Sequence, residues 1–128
     1  MLICDFSGFR APEMVKSRPV VVFHRHPTNG QLVTIVPLST SKPSPVLPYH
    51  YEFRYNPMPH AMPWEIAWAK CDMVATVPTD RLSRFRLKAN GREEFVEPRI
   101  SDDEFRSIQE CVALGLGLSA VEGRGVGK

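Results

Sequence analysis

Six side chains in three short stretches have the types and spacing to do chemistry together. Glu13 and Arg18 flank a polar stretch and lead into the β-branched run Pro19-Val20-Val21-Val22-Phe23, Ser39 and Thr40 leave a second apolar run, and Lys70 and Asp72 lie two apart in a third. Two residues apart on a strand means the same face. A carboxylate, a guanidinium, a hydroxyl and an ammonium in one cleft suit RNA cleavage without metal. The 2′-hydroxyl of RNA is its own nucleophile and needs only a base. The phosphorane it forms carries extra negative charge, which an Arg fork stabilises through paired hydrogen bonds. The same residues also read as surface Arg–Glu or Lys–Asp ion pairs worth about 0–1 kcal/mol. Convergence of the three stretches separates the two readings.

Other constellations carry less. His24 and His26 share a face if they sit on a strand, but a pair without a third ligand is a weak metal signal, and solvent-facing strand-end histidines are the simpler reading. His50 and His60 lie in Pro-rich stretches with no partner by spacing. Neither a phosphate-binding Gly-rich loop nor a nucleophile elbow is present. No metal and no cofactor is expected. Cys71 sits in an apolar pattern beside Lys70, so a buried, inert thiol is expected rather than a reactive one.

The elements that must position these groups are short strands followed by one helix. Leu2–Phe6 reads as a first strand, Arg18–Phe23 as a buried central strand with Pro19 at its entrance, and Leu32–Leu38 as its antiparallel partner across a Thr28-Asn29-Gly30 turn. Tyr51–Tyr55 alternates like a half-exposed strand, and Trp64–Val77 reads as one long strand or two joined by a bend near Lys70. Pro78–Arg84 is expected to hold a short helical turn, and Ala89–Arg92 a turn. Ser101 to Glu104 form a capping box, and Phe105, Ile108, Val112 and Leu116 recur at helical spacing, which predicts an amphipathic helix over about 101–116. The expected architecture is a mainly β domain over residues 1–121, a strongly bent sheet or barrel closed by a C-terminal α-helix, with a flexible tail over 122–128.

Composition bounds the function. The chain has 128 residues, 43% hydrophobic and 23% charged, enough for one globular core. Its longest weakly polar run, Cys111–Val121, falls short of the roughly 18 residues a spanning helix needs, so no membrane span is expected. The N-terminal stretch has no basic leader, and three widely spaced cysteines suit a reducing, cytoplasmic setting. Charge is uneven: residues 1–92 carry 12 Lys/Arg and 6 Asp/Glu, and residues 93–128 carry 4 and 8. A basic body with an acidic C-terminal segment fits contact with a polyanion, and also fits a solvated surface with chance asymmetry.

Three blocks, in order, resemble the MazF/PemK group of bacterial toxin endoribonucleases: Glu13-Met14-Val15-Lys16-Ser17-Arg18-Pro19-Val20-Val21-Val22, then Ile35-Val36-Pro37-Leu38-Ser39-Thr40-Ser41, then Ala69-Lys70-Cys71-Asp72. Arg81-Leu82 matches a common Arg-Leu after the third block. The resemblance implies a small SH3-like barrel with a C-terminal helix, a homodimer, cleavage of single-stranded RNA, and a cognate antitoxin. It further implies operator DNA contact as the toxin–antitoxin complex. By block matching, Arg18 is the phosphate-stabilising arginine, Glu13 the loop carboxylate, Ser39 with Thr40 the hydroxyl position, and Asp72 the catalytic Asp. Lys70 stands where some members carry an Arg. It keeps the charge and loses the fork. Lys16 is expected at the RNA, with Phe9, Tyr51 and Trp64 either stacking on unpaired bases or packing in the core. The chain departs from the family in carrying Pro12-Glu13-Met14 where Glu-Gln-x-Gly is usual, and in beginning after the family's Gly-Asp/Glu pair. Related barrels bind DNA gyrase instead of cutting RNA, so a non-catalytic binder or an inactive orphan is the alternative reading.

Overall fold

The two β-branched runs make the centre of the molecule. In this computed structural model, which describes residues 1–11, 17–61 and 64–118, Arg18–Arg25 (β2) pairs antiparallel with Leu32–Ser39 (β3), with Val20 opposite Pro37, Val21 opposite Val36 and Val22 opposite Ile35. Both runs are near-continuously apolar because both faces are covered. Val20 and Ile35 turn into one cluster with Cys4, Phe6, Val33 and Val77. Val21, Val36 and Leu38 turn into another with Phe53, Ala69, Cys71, Ile108 and Val112. Alternation along the strands separates the two clusters.

Leu2–Cys4 (β1) pairs with the first residues of β2, Cys4 opposite Arg18. The expected first strand is shorter than its apolar run because Asp5 starts a turn, its carboxylate accepting from the Ser7 N–H at 2.8 Å. On the other side β3 has two partners in succession. Ala75–Pro78 (β6) pairs with it from Leu32 to Ile35, and Trp68–Lys70 (β5) pairs at Leu38 and Ser39. Pro37, with no N–H to give, sits in the gap between them. His50–Glu52 (β4) completes this edge on β5. The predicted long strand is thus two, bent over residues 71–74, where the Met73 N–H donates to the Lys70 carbonyl at 3.0 Å. Residues 64–67 lie outside β5, since β3 ends at Ser39, opposite Trp68, and offers nothing beyond.

A three-residue 3-10 turn, Thr79–Arg81, joins β6 to Leu82–Ser83 (β7), which pairs with β1. On a flat sheet β6 and β7 would stand four strand spacings apart, about 19 Å. Four Cα steps span at most about 15 Å. The sheet therefore curls around the Cys4–Val20–Val77 cluster. Its ladder runs β4-β5-β3-β2-β1-β7 and is bridged by covalent chain rather than closed as a ring of hydrogen bonds, so of the two expected forms, bent sheet or barrel, the strongly bent sheet is the one described.

Phe85–Ala89 (β8) and Arg92–Val96 (β9) form a separate hairpin over Asn90 and Gly91, both at positive φ. Sequence reading assigned the turn and not these strands. The helix Asp102–Gly115 (α1) buries Ile108 and Val112. The Ser101 hydroxyl caps it, accepting from the Glu104 N–H at 3.1 Å. Glu104 does not reach back as a capping box would have it. Its carboxylate accepts from the Tyr51 hydroxyl at 2.8 Å and the Arg54 N–H at 3.1 Å, tying the helix to β4. Glu13, Lys16 and the expected tail over 122–128 lie outside the described residues.

Candidate active site

Arg18 opens β2, and its position follows from the ladder. Continuing the register of Val20 with Pro37 by two residues sets Arg18 across from Ser39. Ser39 faces Trp68, and Trp68 faces Glu52. Directly opposed residues share a face of the sheet. Lys70 and its partner His50 lie one row further along the same face, opposite to the helix, because Ala69 and Cys71 on either side of Lys70 turn toward the helix cluster. The sheet thus brings Arg18, Ser39, Trp68, Glu52, Lys70 and His50 to one side.

Arg18 is half-buried, and its Nε is buried without a hydrogen-bond partner among the described residues. A buried polar group without a partner is uncommon and calls for an acceptor. Ser39 is buried, and its hydroxyl oxygen accepts from the Ser41 N–H at 3.0 Å, which fixes the turn leaving β3 and leaves the hydroxyl proton free to donate. Thr40 is exposed beside it. Past Trp68 the face opens into a groove of about 570 Å³ lined by Thr40, Lys42, Val46, Glu52, Trp64, Ile66 and Trp68. Trp64 is 76% exposed while Trp68, at 5%, forms the floor. Arg18, Lys42 and Lys70 give this side three cations, an arrangement that attracts a polyanion.

Other predicted residues go elsewhere. Asp72 is exposed on the bend after β5, so strand alternation ends at Lys70 and does not carry Asp72 onto its face. Its backbone packs against Gly115 of α1. No Lys70–Asp72 ion pair forms among the described residues. Tyr51 turns to the helix, where its ring packs edge-on to Phe53 at 5.2 Å; burial first, then the Glu104 carboxylate, pushes its hydroxyl pKa up. Phe9 packs edge-on to Phe6 at 5.2 Å beneath the Arg81 guanidinium. Arg81 also donates to the Asp5 and Ser7 carbonyls at 2.8 and 2.7 Å, fastening the chain that leads toward residue 12. Cys71 is fully buried and its thiol is pushed up chiefly by that burial. His26 lies just beyond β2, which ends at Arg25, and uses Nδ1 to accept from the Thr28 and Asn29 N–H groups of the turn. Among the described residues no three His, Cys, Asp or Glu side chains gather as a metal site would need, and no helix is long and apolar enough to cross a membrane.

Sequence reading missed Glu52, Trp68, Lys42 and His50 as members of this face. The signal for three of them was present: period-two alternation through His50-Tyr51-Glu52 and Trp68-Ala69-Lys70 puts the first and third of each triplet together. That the two triplets pair with each other was not visible.

The fold has solved counterparts. It superposes on the Mycobacterium tuberculosis toxin MazF-mt6 with a TM-score of 0.59, 17% identity and coverage of 94% of this chain and 100% of that one. An endoribonuclease from Mycobacterial species, solved in complex with its cognate antitoxin, gives 0.62 at 15% identity over 93% and 92% of the two chains. The chain is also 36% identical over 85 residues to the uncharacterised protein YifN of Escherichia coli (strain K12), a stretch covering 63% of this chain and 56% of that protein, so it spans little more than half of YifN's length. Residues 1–116 match the PemK-like, MazF-like toxins of type II toxin–antitoxin systems, and the chain belongs to that family.

Proposed function

We propose that this toxin is an endoribonuclease that cleaves single-stranded RNA with its own side chains and without a metal. The observation that carries the reading is Arg18, whose buried Nε, without a hydrogen-bond partner among the described residues, stands on one face with Ser39 and Lys70 beside a groove holding an exposed tryptophan. In the reaction the 2′-oxygen of the substrate attacks the adjacent phosphorus, and its proton passes to a carboxylate, for which Glu13 is the candidate that the placement of Asp72 leaves. Arg18 binds two non-bridging oxygens of the phosphorane as a fork, and the Ser39 or Thr40 hydroxyl donates a further hydrogen bond. The P–O5′ bond then breaks as Lys70 or Arg18 hands a proton to the leaving oxygen. The products are a 2′,3′-cyclic phosphate, which water opens to a 3′-phosphate, and a 5′-hydroxyl.

The partners follow from the family. A cognate antitoxin is a partner, as one is for the mycobacterial endoribonuclease of like fold, and we place it over the same groove; the toxin acts as a cytoplasmic homodimer, and operator DNA is met through the toxin–antitoxin complex. The test is purified protein with single-stranded RNA in excess EDTA, with the ends of the fragments identified. Cleavage leaving cyclic phosphate and 5′-hydroxyl ends supports the reading. RNA that is bound and left intact, or an effect on DNA gyrase alone, replaces it with a non-catalytic binder.

A further inference from the structure

We infer that Glu52 reads a guanine base of the substrate in the groove beside Arg18, an inference that rests on the ribonuclease reading. Glu52 stands directly across from Trp68 on β4, and both line the groove of about 570 Å³. That size falls within the roughly 300–1,000 Å³ of pockets that take small organic groups. Its walls are unusual for a solvated surface: Trp64 is 76% exposed and Ile66 49%, while Trp68 closes the floor. An exposed indole above an apolar floor is a stacking platform, and every base has a π-face to offer it.

Stacking alone does not choose a base, and the carboxylate does. Glu52 is exposed and has no hydrogen-bond or ion-pair partner among the described residues. An ionised carboxylate only accepts hydrogen bonds. In a groove that must hold a polyanion it repels phosphate, so its favourable partner is a donor on a base edge. Guanine presents N1–H and N2–H side by side, matching the two carboxylate oxygens. Adenine and cytosine each offer one amine next to a ring nitrogen acceptor, which would face the carboxylate. Uracil offers a single N–H between two carbonyls. Lys42 on the same groove wall supplies the cation for the neighbouring phosphate. From Arg18 through Ser39 and Trp68 to Glu52 is three strand spacings, about 14 Å on a flat sheet. The guanine therefore sits at a fixed place within a few nucleotides of the cut.

The experiment maps fragment ends from a randomised RNA pool, then compares two defined substrates, one with guanine and one with inosine at the enriched position. Inosine lacks the N2 amine and keeps N1–H. The native protein is expected to enrich guanine at one position and to favour guanine over inosine in kcat/KM by about ten- to a hundredfold, the range of one bidentate base contact. With E52Q that ratio falls to near one. Cleavage without guanine enrichment, or a guanine preference that E52Q leaves intact, overturns the inference while the ribonuclease reading stands. No cleavage by the native protein under any substrate overturns both. The inosine comparison uses the native chain, so it does not depend on the variant folding.

Discussion

Gly115 of α1 lies against the backbone of Asp72: a Cβ at 115 would stand 3.0 Å from the Asp72 Cα and 3.0 Å from the Cys71 carbonyl oxygen. The helix end and the bend after Lys70 are thus held by a contact that a single methyl group disturbs. Alanine should gain about 1 kcal/mol of helix propensity over glycine, whereas overpacking against backbone typically loses about 1–3 kcal/mol. The Gly115→Ala variant is expected to be less stable by about 1 kcal/mol, read as a lower midpoint in urea, and to cleave RNA more slowly because the bend follows directly on Lys70 at the end of β5. A higher midpoint would show that the bend yields freely.

The Tyr51 hydroxyl donates to Glu104 across 2.8 Å and joins β4 to the helix start. A hydrogen bond to a charged group contributes about 1.5–3 kcal/mol, so Tyr51→Phe is expected to lower stability by about 1–2 kcal/mol. The pH dependence has a definite sign. The folded state raises the Tyr51 pKa above its ordinary 10.0, through burial and the Glu104 carboxylate. Its contribution is therefore complete below about pH 10 and is lost as pH rises above it, where the unfolded chain releases a proton that the folded chain keeps. Urea midpoints measured from pH 8 to 11 should fall less steeply at the alkaline end for Tyr51→Phe than for the native chain.

Arg81 holds the chain after β1 through two carbonyl oxygens and the Phe9 ring, 5.3 Å from its guanidinium carbon. Both hydrogen bonds leave a single nitrogen, Nη1; lysine keeps the charge, but its Nζ ends one bond short of that nitrogen and it lacks the planar guanidinium that lies over Phe9. Arg81→Lys is expected to lose about 1–2 kcal/mol of stability and to admit proteases around residues 5–11 sooner than the native protein. Equal protease lifetimes would mean that this stretch is held by other contacts.

Much of this architecture is legible in the residues themselves. Val20-Val21-Val22 and Leu32–Leu38 announce two strands buried on both faces, and Ser101 with the 105, 108, 112 spacing marks the helix, because alternation and helical period are local properties. The β8–β9 hairpin escaped although Asn90-Gly91 names its turn, since Glu93 and Glu94 put a charge on each face of the exposed strand β9 and erase the alternation that marks a half-buried strand. At the candidate site, Arg18 and Ser39 are readable from their places at strand ends. Asp72 was assigned to the Lys70 face because alternation was extended through a bend that only the tertiary partners of β3 impose. Tyr51 and Phe9 show the same limit: an aromatic side chain in a list of residues gives no sign of whether it stacks on a ligand or packs on a neighbour.

The central claim is that the Arg18 guanidinium stabilises the reacting phosphate. Single-turnover cleavage of one RNA by the native protein, Arg18→Lys and Arg18→Ala tests it most directly, with thermal melts confirming that all three are folded. Loss of a preorganised donor to a developing oxyanion reduces rate by about 10²–10³. The account predicts a loss of that size for Arg18→Ala with RNA affinity changed far less, and an intermediate rate for Arg18→Lys, which keeps charge without the fork. A folded Arg18→Ala variant that cuts RNA at the native rate would contradict it.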